Sequence, residues 1–374
     1  MYGTMRHLIY SSFKLQTTST RILLHRNSII NINSSIRMLL STSSKREAEY
    51  YRGAVCTNLG APLEIQSLPS KSLKNDEVKV SVHFTGINFA DVLMLSGKYQ
   101  QKPPLPFVAG LEIAGLIKEV GKDVTKFKPG QRVLGLSGIG GFAEECIVKP
   151  EQLFEMPDSM DYKTGSALAV SYGTAWMALH KKAAIRESDT VLVTAGAGAF
   201  GSATLDLAKH SFSATTIGAC GGQEKSSLLR SRGVDHVIDY NVEDIVEVVN
   251  DITNKRGADV IIDAVGGDTF KKCLRSIGFE GRIVVIGFAS GEIPRIPAQV
   301  LLLNSCSVIG LYWGDYIVKD LSAFRQSVNA VIDLYREGSI SPLVSTVFSL
   351  DEVNEAFHHI HNRKSTGKVV LKIQ

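Results

Sequence analysis

Apolar and polar residues alternate in the part of the chain that follows residue 52, as they do in strands that bury one face. Residues 77–86 show this most clearly, because apolar side chains occupy every second position from Val78 to Phe84. Segments of the same kind, with glycines at their corners, lie at residues 53–57, 107–120, 131–136 and 142–148. Short strands joined by glycine-rich turns predict a small, irregular, barrel-like β domain.

Beyond residue 161 the pattern changes to apolar runs that alternate with amphipathic runs. The apolar runs predict strands at residues 190–194, 214–219, 236–240, 259–265 and 282–288. Helices are predicted between them, at residues 202–210, 224–232, 242–254 and 268–277. Because these strands are apolar on both faces, they predict a parallel sheet covered by helices on each side, and therefore an α/β domain.

The last part of the chain mixes both patterns. Helices are predicted at about residues 318–337 and 351–361, and a final strand at residues 368–373 is placed to close the first domain. The most apolar stretch, residues 300–313, is predicted to be a buried strand region. Asn304 and Ser305 interrupt it, and no run reaches the roughly 18 apolar residues that a membrane span needs. No membrane span is predicted.

The first 46 residues differ in composition from the rest. They are rich in serine and threonine and contain seven of the 41 basic residues but no acidic residue. Such a leader is typical of a mitochondrial transit peptide, cut here between residues 37 and 49, and it predicts a location in the matrix. The alternative is a disordered tail with no targeting role.

Without this leader the charge balance reverses. The remaining 34 basic residues face 37 acidic ones, so nothing predicts the basic surface of a nucleic-acid-binding protein. Five cysteines with no CxxC pair argue against a disulfide framework and against a cysteine-based structural zinc site. Reduced, buried thiols are expected instead.

The strongest chemical signal is the spacing Gly196-x-Gly198-x-x-Gly201, which follows an apolar strand and opens a helix. That context is the dinucleotide-binding fingerprint. A tight turn is expected at Gly196, close approach of a pyrophosphate at Gly198, and close helix packing at Gly201. The helix N-terminus then offers free N–H groups to the phosphates. The alternative is a parallel-sheet domain that has lost its ligand.

The end of the second strand of this unit favours NADPH over NADH. An NAD site usually carries an acidic residue about 20 residues past the motif, but here residues 217–225 read IGACGGQEK. The cation of Lys225 would stabilise a 2′-phosphate, although Glu224 stands beside it. The alternative for Lys225 is a solvated surface lysine.

Further blocks lie at residues 86–99 (GINFADVLMLSGKY), 106–115 (PFVAGLEIAG), 129–133 (PGQRV), 141–144, 172–175, 263–266 and 367–371. Together they resemble the zinc-free quinone-reductase, or zeta-crystallin-like, branch of the medium-chain dehydrogenase/reductase superfamily, from about residue 52 to the end. The resemblance implies a GroES-like β-barrel catalytic domain (residues 49–172 and 311–374) after a leader (residues 1–48). A doubly wound Rossmann domain (residues 173–310) would bind NADPH. It also implies a homodimer whose edge strands, residues 308–312, pair.

The resemblance further implies roles for individual residues. Asn88 and Thr174 would face the nicotinamide half of NADPH. The pyrophosphate would be covered by Gly198, Ala199, Phe200 and Gly201. The 2′-phosphate would be held by Lys225 and Tyr240, and the rest of the path would be lined by Val265, Phe288 and Arg363. Gly222 stands where relatives often carry Ser or Thr, which implies a weaker phosphate contact.

No metal site is predicted. Alcohol-oxidising relatives carry Cys and His zinc ligands where this chain has Asn88 and Leu111, and neither is a good zinc ligand. Glu112 remains but cannot form a site alone. Interconversion of alcohols and simple carbonyls relies mainly on a metal ion that polarises the oxygen. Without one, the expected acceptor is a quinone or another conjugated carbonyl, an enone.

The sequence therefore predicts a zinc-independent, NADPH-dependent quinone or enone reductase. Tyr99 is the candidate proton donor, or else it only lines the cleft. Asn88 would anchor a ribose or substrate oxygen, or else it is a strand-end turn residue, and Asp91 is expected to cap the following helix. Two alternatives stay open. One is a mitochondrial 2-enoyl thioester reductase, and the other is a non-catalytic NADPH-binding structural or regulatory protein.

Overall fold

Three β-sheets organise residues 49–374, the part of the chain that the computed structural model describes. The predicted leader lies outside the described residues. The strands are β1 (Tyr50–Cys56), β2 (Glu64–Pro69), β3 (Val78–Gly86), β4 (Phe107–Val108), β5 (Glu112–Val120), β6 (Arg132–Leu136), β7 (Glu145–Val148), β8 (Leu153–Glu155), β9 (Thr190–Val193), β10 (Thr215–Cys220), β11 (His236–Asp239), β12 (Ala258–Asp263), β13 (Ile277–Val285), β14 (Ser307–Gly310), β15 (Val344–Ser349) and β16 (Lys368–Lys372).

Helices connect these strands and cover the sheets. They are α1 (Phe89–Leu95), α2 (Tyr162–Gly165), α3 (Ala169–Trp176), α4 (Ala199–His210), α5 (Gln223–Ser231), α6 (Ile245–Ile252), α7 (Gly267–Ser276), α8 (Ala298–Asn304), α9 (Tyr316–Lys319), α10 (Leu321–Arg336) and α11 (Val353–His361). Within residues 49–374, none of these helices combines the length and apolarity that crossing a bilayer demands.

The central sheet is the parallel sheet that the apolar runs predict. Its six strands lie in the order β11-β10-β9-β12-β13-β14, and every neighbouring pair is parallel. All residues of β9 are buried because helices cover both faces. The chain reverses its direction of progress between β9 and β12, and in such sheets a crevice opens there at the carboxyl ends of the strands. The doubly wound α/β prediction is confirmed.

The second large sheet is mainly antiparallel, in the order β15-β16-β3-β5-β6-β8, and β7 also pairs with β3. As expected, the last strand of the chain joins this sheet, because Val370 of β16 pairs with Gly86 of β3. A small sheet of β2, β1 and β4 lies beside it. The alternating apolar residues of β3 form a buried cluster with β5, β6 and β7. This sheet is therefore built from strands near the start of the described chain and from the strands at its end.

The apolar stretch at residues 300–313 differs from its prediction as a buried strand region. Its first part belongs to helix α8, where Leu302 and Leu303 are 78% and 71% exposed, and its middle part is the edge strand β14. A short apolar run has no periodicity that separates a helix from a strand, and apolar residues also occur at surfaces. The predicted helix at residues 318–337 is divided at Asp320, whose side chain accepts a hydrogen bond from Ala323 N and caps α10.

Candidate functional site

The glycine turn, defined as residues 194–201, connects β9 to α4. A Cβ at Gly201 would lie 2.3 Å from the Ala195 oxygen, so close helix packing excludes a side chain there. A Cβ at Gly196 would lie 3.1 Å from Leu205. The left-handed residue of the turn is Ala195 (φ 50°) and not Gly196, where the sequence predicts the tight turn. Gly196 is therefore explained by packing.

Neither packing nor backbone conformation requires a glycine at position 198. Its φ of −77° and ψ of 173° suit any residue, and a Cβ would meet nothing closer than the Ala195 oxygen at 3.4 Å. Gly198 is also the N-cap of α4 and offers no side chain to the first N–H groups of the helix. A bare helix N-terminus beside a side-chain-free residue fits the pyrophosphate of a dinucleotide.

A second loop, after β12, is clamped beside the glycine turn. The buried Asp263 carboxylate accepts hydrogen bonds from Thr194 Oγ1 at 2.7 Å, Val265 N at 3.1 Å and Gly266 N at 3.0 Å. Burial raises the pKa of Asp263 above its ordinary value, while these bonds oppose the shift. Phe288 packs on the same loop, since a Cβ at Gly266 would lie 3.0 Å from its ring. The predicted site residues Val265 and Phe288 are thus brought together.

The predicted 2′-phosphate residues also meet. Lys225 Nζ donates to the Arg363 carbonyl oxygen at 2.6 Å, and the charge of Arg363 acts on the Tyr240 hydroxyl. Burial, the larger effect, raises the pKa of Tyr240. Gly222 adopts a left-handed φ of 95° while its N–H donates to Asp239 Oδ1, which accounts for glycine at this position. Glu224 is exposed.

Asn88 lies at the start of α1, where its side chain makes three hydrogen bonds within the protein. Its Nδ2 donates to Gly86 O at 3.1 Å and to Glu112 Oε2 at 2.9 Å, and its Oδ1 accepts from Lys368 Nζ at 2.6 Å. Both amide hydrogens are therefore used, and an anchoring role toward a ribose or substrate rests on the second lone pair of Oδ1. Asp91 accepts from Asn88 N at 2.8 Å and caps the helix, as expected.

Sequence reasoning missed the buried partners of Asn88. Glu112 Oε2 accepts from Lys368 Nζ at 2.6 Å, and Glu112 Oε1 accepts from Val170 N at 2.8 Å, at the start of α3. Lys368 lies inside the block at residues 367–371, but a sequence does not reveal that a lysine is buried. Thr174, another predicted site residue, is buried on α3.

Tyr99 follows α1 and meets a second tyrosine that the sequence did not single out. The ring of Tyr312, which follows β14, packs edge-on against Tyr99 with centroids 6.1 Å apart. Burial, and then the neighbouring Tyr312 hydroxyl, raise the pKa of Tyr99 above its ordinary value. Tyr99 therefore keeps its proton at neutral pH and remains a competent hydrogen-bond donor.

Asp91 makes the stability of the protein depend on pH. Burial raises its pKa to about 7, although the hydrogen bond from Asn88 N lowers it. An unfolded Asp titrates near 3.9, so only the folded state holds this proton between roughly pH 4 and 7. The stabilisation of the folded state by this proton is complete below about pH 4 and is lost as the pH rises from about 4 to about 7. We expect a loss of about 4 kcal/mol by pH 8.

Urea unfolding at pH 5 and pH 8 measures the upper part of this loss, about 2.5 kcal/mol. The fall in stability between the two pH values should be smaller for Asp91→Asn, whose amide oxygen still accepts from Asn88 N. Asp161→Asn is the matched control, because the pKa of that capping residue is lowered and its titration lies below pH 5. An unchanged fall in Asp91→Asn contradicts the assignment.

The site residues converge on one crevice. The glycine turn, Lys225, Tyr240, Val265, Phe288 and Tyr312 each follow the carboxyl end of a different strand of the parallel sheet. Residues from the antiparallel part reach the same edge, since Gly367 pairs with Gly198 and Tyr99 packs on Tyr312. This combination of sheet order, glycine turn and facing barrel defines a dinucleotide-dependent oxidoreductase architecture.

Comparisons with known proteins agree. The sequence matches the "Alcohol dehydrogenase GroES-like domain" over residues 74–158 and "Zinc-binding dehydrogenase" over residues 199–334. It is 46% identical to the quinone oxidoreductase-like protein 2 homolog of Nematostella vectensis, covering 89% of this chain and 94% of the relative. The chain belongs to the medium-chain dehydrogenase/reductase family, in its quinone oxidoreductase-like branch, as the sequence blocks predict.

Solved structures share the architecture. A quinone oxidoreductase from Pseudomonas syringae pv. Tomato superposes with a TM-score of 0.81 at 26% identity, covering 86% of this chain and 100% of that one. A mycobacterial protein in complex with NADPH superposes with a TM-score of 0.80 at 27% identity, over 86% and 100% of the two chains.

One of the two matching family models is described as a zinc-binding dehydrogenase, but the side chains of this crevice are not suited to bind zinc. Next to Leu111 the structure places the ammonium of Lys368, the amide of Asn88 and two carboxylates, Glu112 and the helix-capping Asp91. An ammonium is a donor and repels a cation. Within residues 49–374, no cluster of three or more His, Cys, Asp or Glu side chains is arranged to hold a metal.

Proposed function

We propose that the protein is a zinc-independent, NADPH-dependent oxidoreductase that transfers hydride to a quinone or another conjugated carbonyl compound. The observation that carries the proposal is Gly198, a glycine that neither backbone conformation nor packing requires, at the bare N-terminus of α4. The nearby cluster of Lys225, Tyr240 and Arg363 supports the phosphorylated form of the dinucleotide. The NADPH complex of the mycobacterial neighbour supports it as well.

Bound NADPH supplies the hydride. The residues of the chain bind and orient it: the first turn of α4 holds the pyrophosphate, and the Lys225 charge meets the 2′-phosphate. Val265 and Phe288 form an apolar wall whose position Asp263 maintains. The side chains near Leu111 are not suited to hold a metal ion that could act as a Lewis acid. This favours an acceptor whose developing charge is delocalised, such as a quinone or an enone.

Tyr99 is proposed as the group that gives a proton to the acceptor oxygen. A tyrosine hydroxyl is ordinarily protonated at neutral pH, and burial raises the pKa of Tyr99 further, so Tyr99 first donates a hydrogen bond to the developing oxyanion and gives up its proton as that charge forms. We expect Tyr99→Phe to lower kcat with an enone about 100-fold, the lower range for general acid catalysis, and to leave the NADPH dissociation constant unchanged. Steady-state kinetics with NADPH binding measured in parallel checks this. A kcat within twofold of the unaltered protein assigns Tyr99 to the lining of the cleft.

The acceptor class is tested by following NADPH oxidation with a quinone, an enone and a crotonyl thioester side by side. Faster turnover of the quinone or the enone supports the proposal. Turnover of the thioester alone points to a 2-enoyl thioester reductase. Tight NADPH binding with no acceptor reduced points to a non-catalytic NADPH-binding structural or regulatory protein.

Lys225 provides the test of the cofactor assignment. We expect Lys225→Ala to raise the dissociation constant of NADPH about 10- to 100-fold, because one charge-assisted contact contributes about 1.5–3 kcal/mol, and to leave that of NADH within twofold. Titration of both dinucleotides by fluorescence measures this. Lys271→Ala is the control, since this exposed lysine pairs with Asp268 on α7. Equal weakening of NADPH and NADH contradicts the assignment.

We also propose a homodimer through the edge of the parallel sheet. Among residues 49–374, no strand pairs with the outer edge of β14, and the exposed Leu302 and Leu303 of α8 lie nearby in sequence. A second copy would cover both features. Sedimentation of the unaltered protein should give twice the chain mass, and that of Leu302→Glu/Leu303→Glu the chain mass. A monomer at micromolar concentration in the unaltered protein refutes the dimer.

The mitochondrial matrix is proposed as the location, on the composition of residues 1–46 alone. Residues 1–48 fused to a fluorescent protein should direct it to mitochondria. The same fusion with its seven basic residues replaced by glutamine should not. Diffuse signal from the first fusion rejects the proposal.

A further inference from the structure

A buried ion pair joins four segments of the chain beside the glycine turn. Lys368 is 2% exposed and Glu112 is fully buried, and their charged atoms lie 2.6 Å apart. Lysine and glutamate are almost never buried this completely unless they are paired. The Glu112 carboxylate also accepts from Asn88 Nδ2 and Val170 N. One side chain therefore connects the starts of α1, α3, β5 and β16.

The surrounding glycines make room for this pair and connect it to the glycine turn. A Cβ at Gly86 would lie 2.1 Å from the Ser166 oxygen, 2.6 Å from Lys368 Cε and 3.0 Å from Glu112 Oε2, so the backbone before α3 and both members of the pair exclude a side chain there. Gly367, with a left-handed φ of 60°, donates to the Ala197 oxygen at 2.7 Å and pairs with Gly198. The residue next to Lys368 thus contacts the segment that receives the pyrophosphate.

Stability alone is a weak explanation for such a pair. Two charges lose their hydration when they are buried, and well-packed apolar residues often replace a buried ion pair without loss of stability. The same sheet contains a second buried pair, Lys79 and Glu145, whose charged atoms are 3.5 Å apart. That pair lies on β3 and β7, and its bonding partners Ser70, Lys118 and Glu119 belong to the barrel. It is a matched internal control.

We propose that Glu112 and Lys368 are positioning residues for the dinucleotide. Through Gly367 they hold the glycine turn in place. Through Val170 they hold α3, which carries Thr174, and through Asn88 they hold α1, which precedes Tyr99. Dinucleotide binding and the ion pair are then energetically coupled. This inference rests on the proposed binding of NADPH at the glycine turn.

The test compares two neutral double variants, E112Q/K368M and K79M/E145Q. Coupling between two parts of a protein typically changes affinity by about 5- to 150-fold, so we expect the first variant to raise the NADPH dissociation constant at least tenfold. The control variant should stay within twofold of the unaltered protein. Calorimetry measures binding, and circular dichroism checks that each variant folds. A folded E112Q/K368M with unchanged affinity overturns the proposal.

Hydrogen exchange on the unaltered protein decides the matter if E112Q/K368M does not fold. NADPH should slow exchange in residues 112–116 and 166–172, which the ion pair connects, and not in residues 143–148 near the control pair. Unchanged exchange in the first two segments overturns the positioning role. Absence of NADPH binding to the unaltered protein removes the proposed function itself. Binding with no effect on the variant or on exchange removes only this inference.

Discussion

Gly198→Asp is expected to weaken NADPH binding by at least about 100-fold, a loss of about 2.7 kcal/mol, while the protein stays folded. The carboxylate would lie at the N-cap of α4 and accept the free N–H groups of the first turn. It would occupy the place of the pyrophosphate and repel its charge. Asp is a favourable N-cap, and a Cβ at this position meets no atom closer than 3.4 Å, so the fold tolerates the change.

Two neighbouring substitutions separate these effects. Gly198→Ser keeps the capping ability without the charge and should weaken binding less than Gly198→Asp. Gly201→Ala should lower thermal stability first, because its Cβ would lie 2.3 Å from the Ala195 oxygen. Calorimetric titration with NADPH and thermal unfolding followed by circular dichroism measure both properties. Gly198→Asp with unaltered affinity removes the glycine turn from the binding site.

Lys368→Met is expected to be the most destabilising single substitution at the site, at about 3–5 kcal/mol. It leaves the Glu112 carboxylate fully buried without its cation. Asn88 Oδ1 loses its donor in the same step. Because charge burial and not side-chain volume causes this loss, adding Glu112→Gln should recover part of it. Urea unfolding of the two variants measures the difference.

Lys149→Met is the control for this prediction. Lys149 pairs with Asp76 at 2.7 Å in the same part of the molecule, and both side chains are exposed to solvent. Its second partner, Glu77 at 3.6 Å, also pairs with Lys74 and so keeps a cation. Exposed pairs contribute about 0–1 kcal/mol, so this substitution should have a small effect. If Lys149→Met and Lys368→Met lower the free energy of unfolding by similar amounts, burial of the Glu112–Lys368 pair does not account for the effect.

Local patterns in the sequence were sufficient for much of the fold. The apolar runs at residues 190–194 and 259–265 correspond to β9 and β12, because strands buried on both faces require apolar residues throughout. The glycine spacing located the glycine turn between β9 and α4, because this strand–turn–helix context is contained in twelve residues. Asp91 was recognised as a helix cap for the same reason, since its partner Asn88 is three residues away.

Other features depend on residues far apart in the chain. Lys368 meets Asn88 across 280 positions and Glu112 across 256, so no local pattern indicates that these charges are buried together. Tyr312 was not recognised because only β14 brings it to Tyr99. The apolar run at residues 300–313 was misassigned because apolarity does not specify which neighbour covers a segment, and here α8 lies at the surface.

The sequence alone determined the family, the parallel sheet and the position of the glycine turn, since each depends on the order and spacing of nearby residues. The tertiary structure alone decided which glycine lacks a structural reason, how the amide of Asn88 is bonded, and which cation lies beside Glu112. Those properties depend on distances between segments that only folding brings together. Electrostatic and packing energies follow such distances and not separation along the chain.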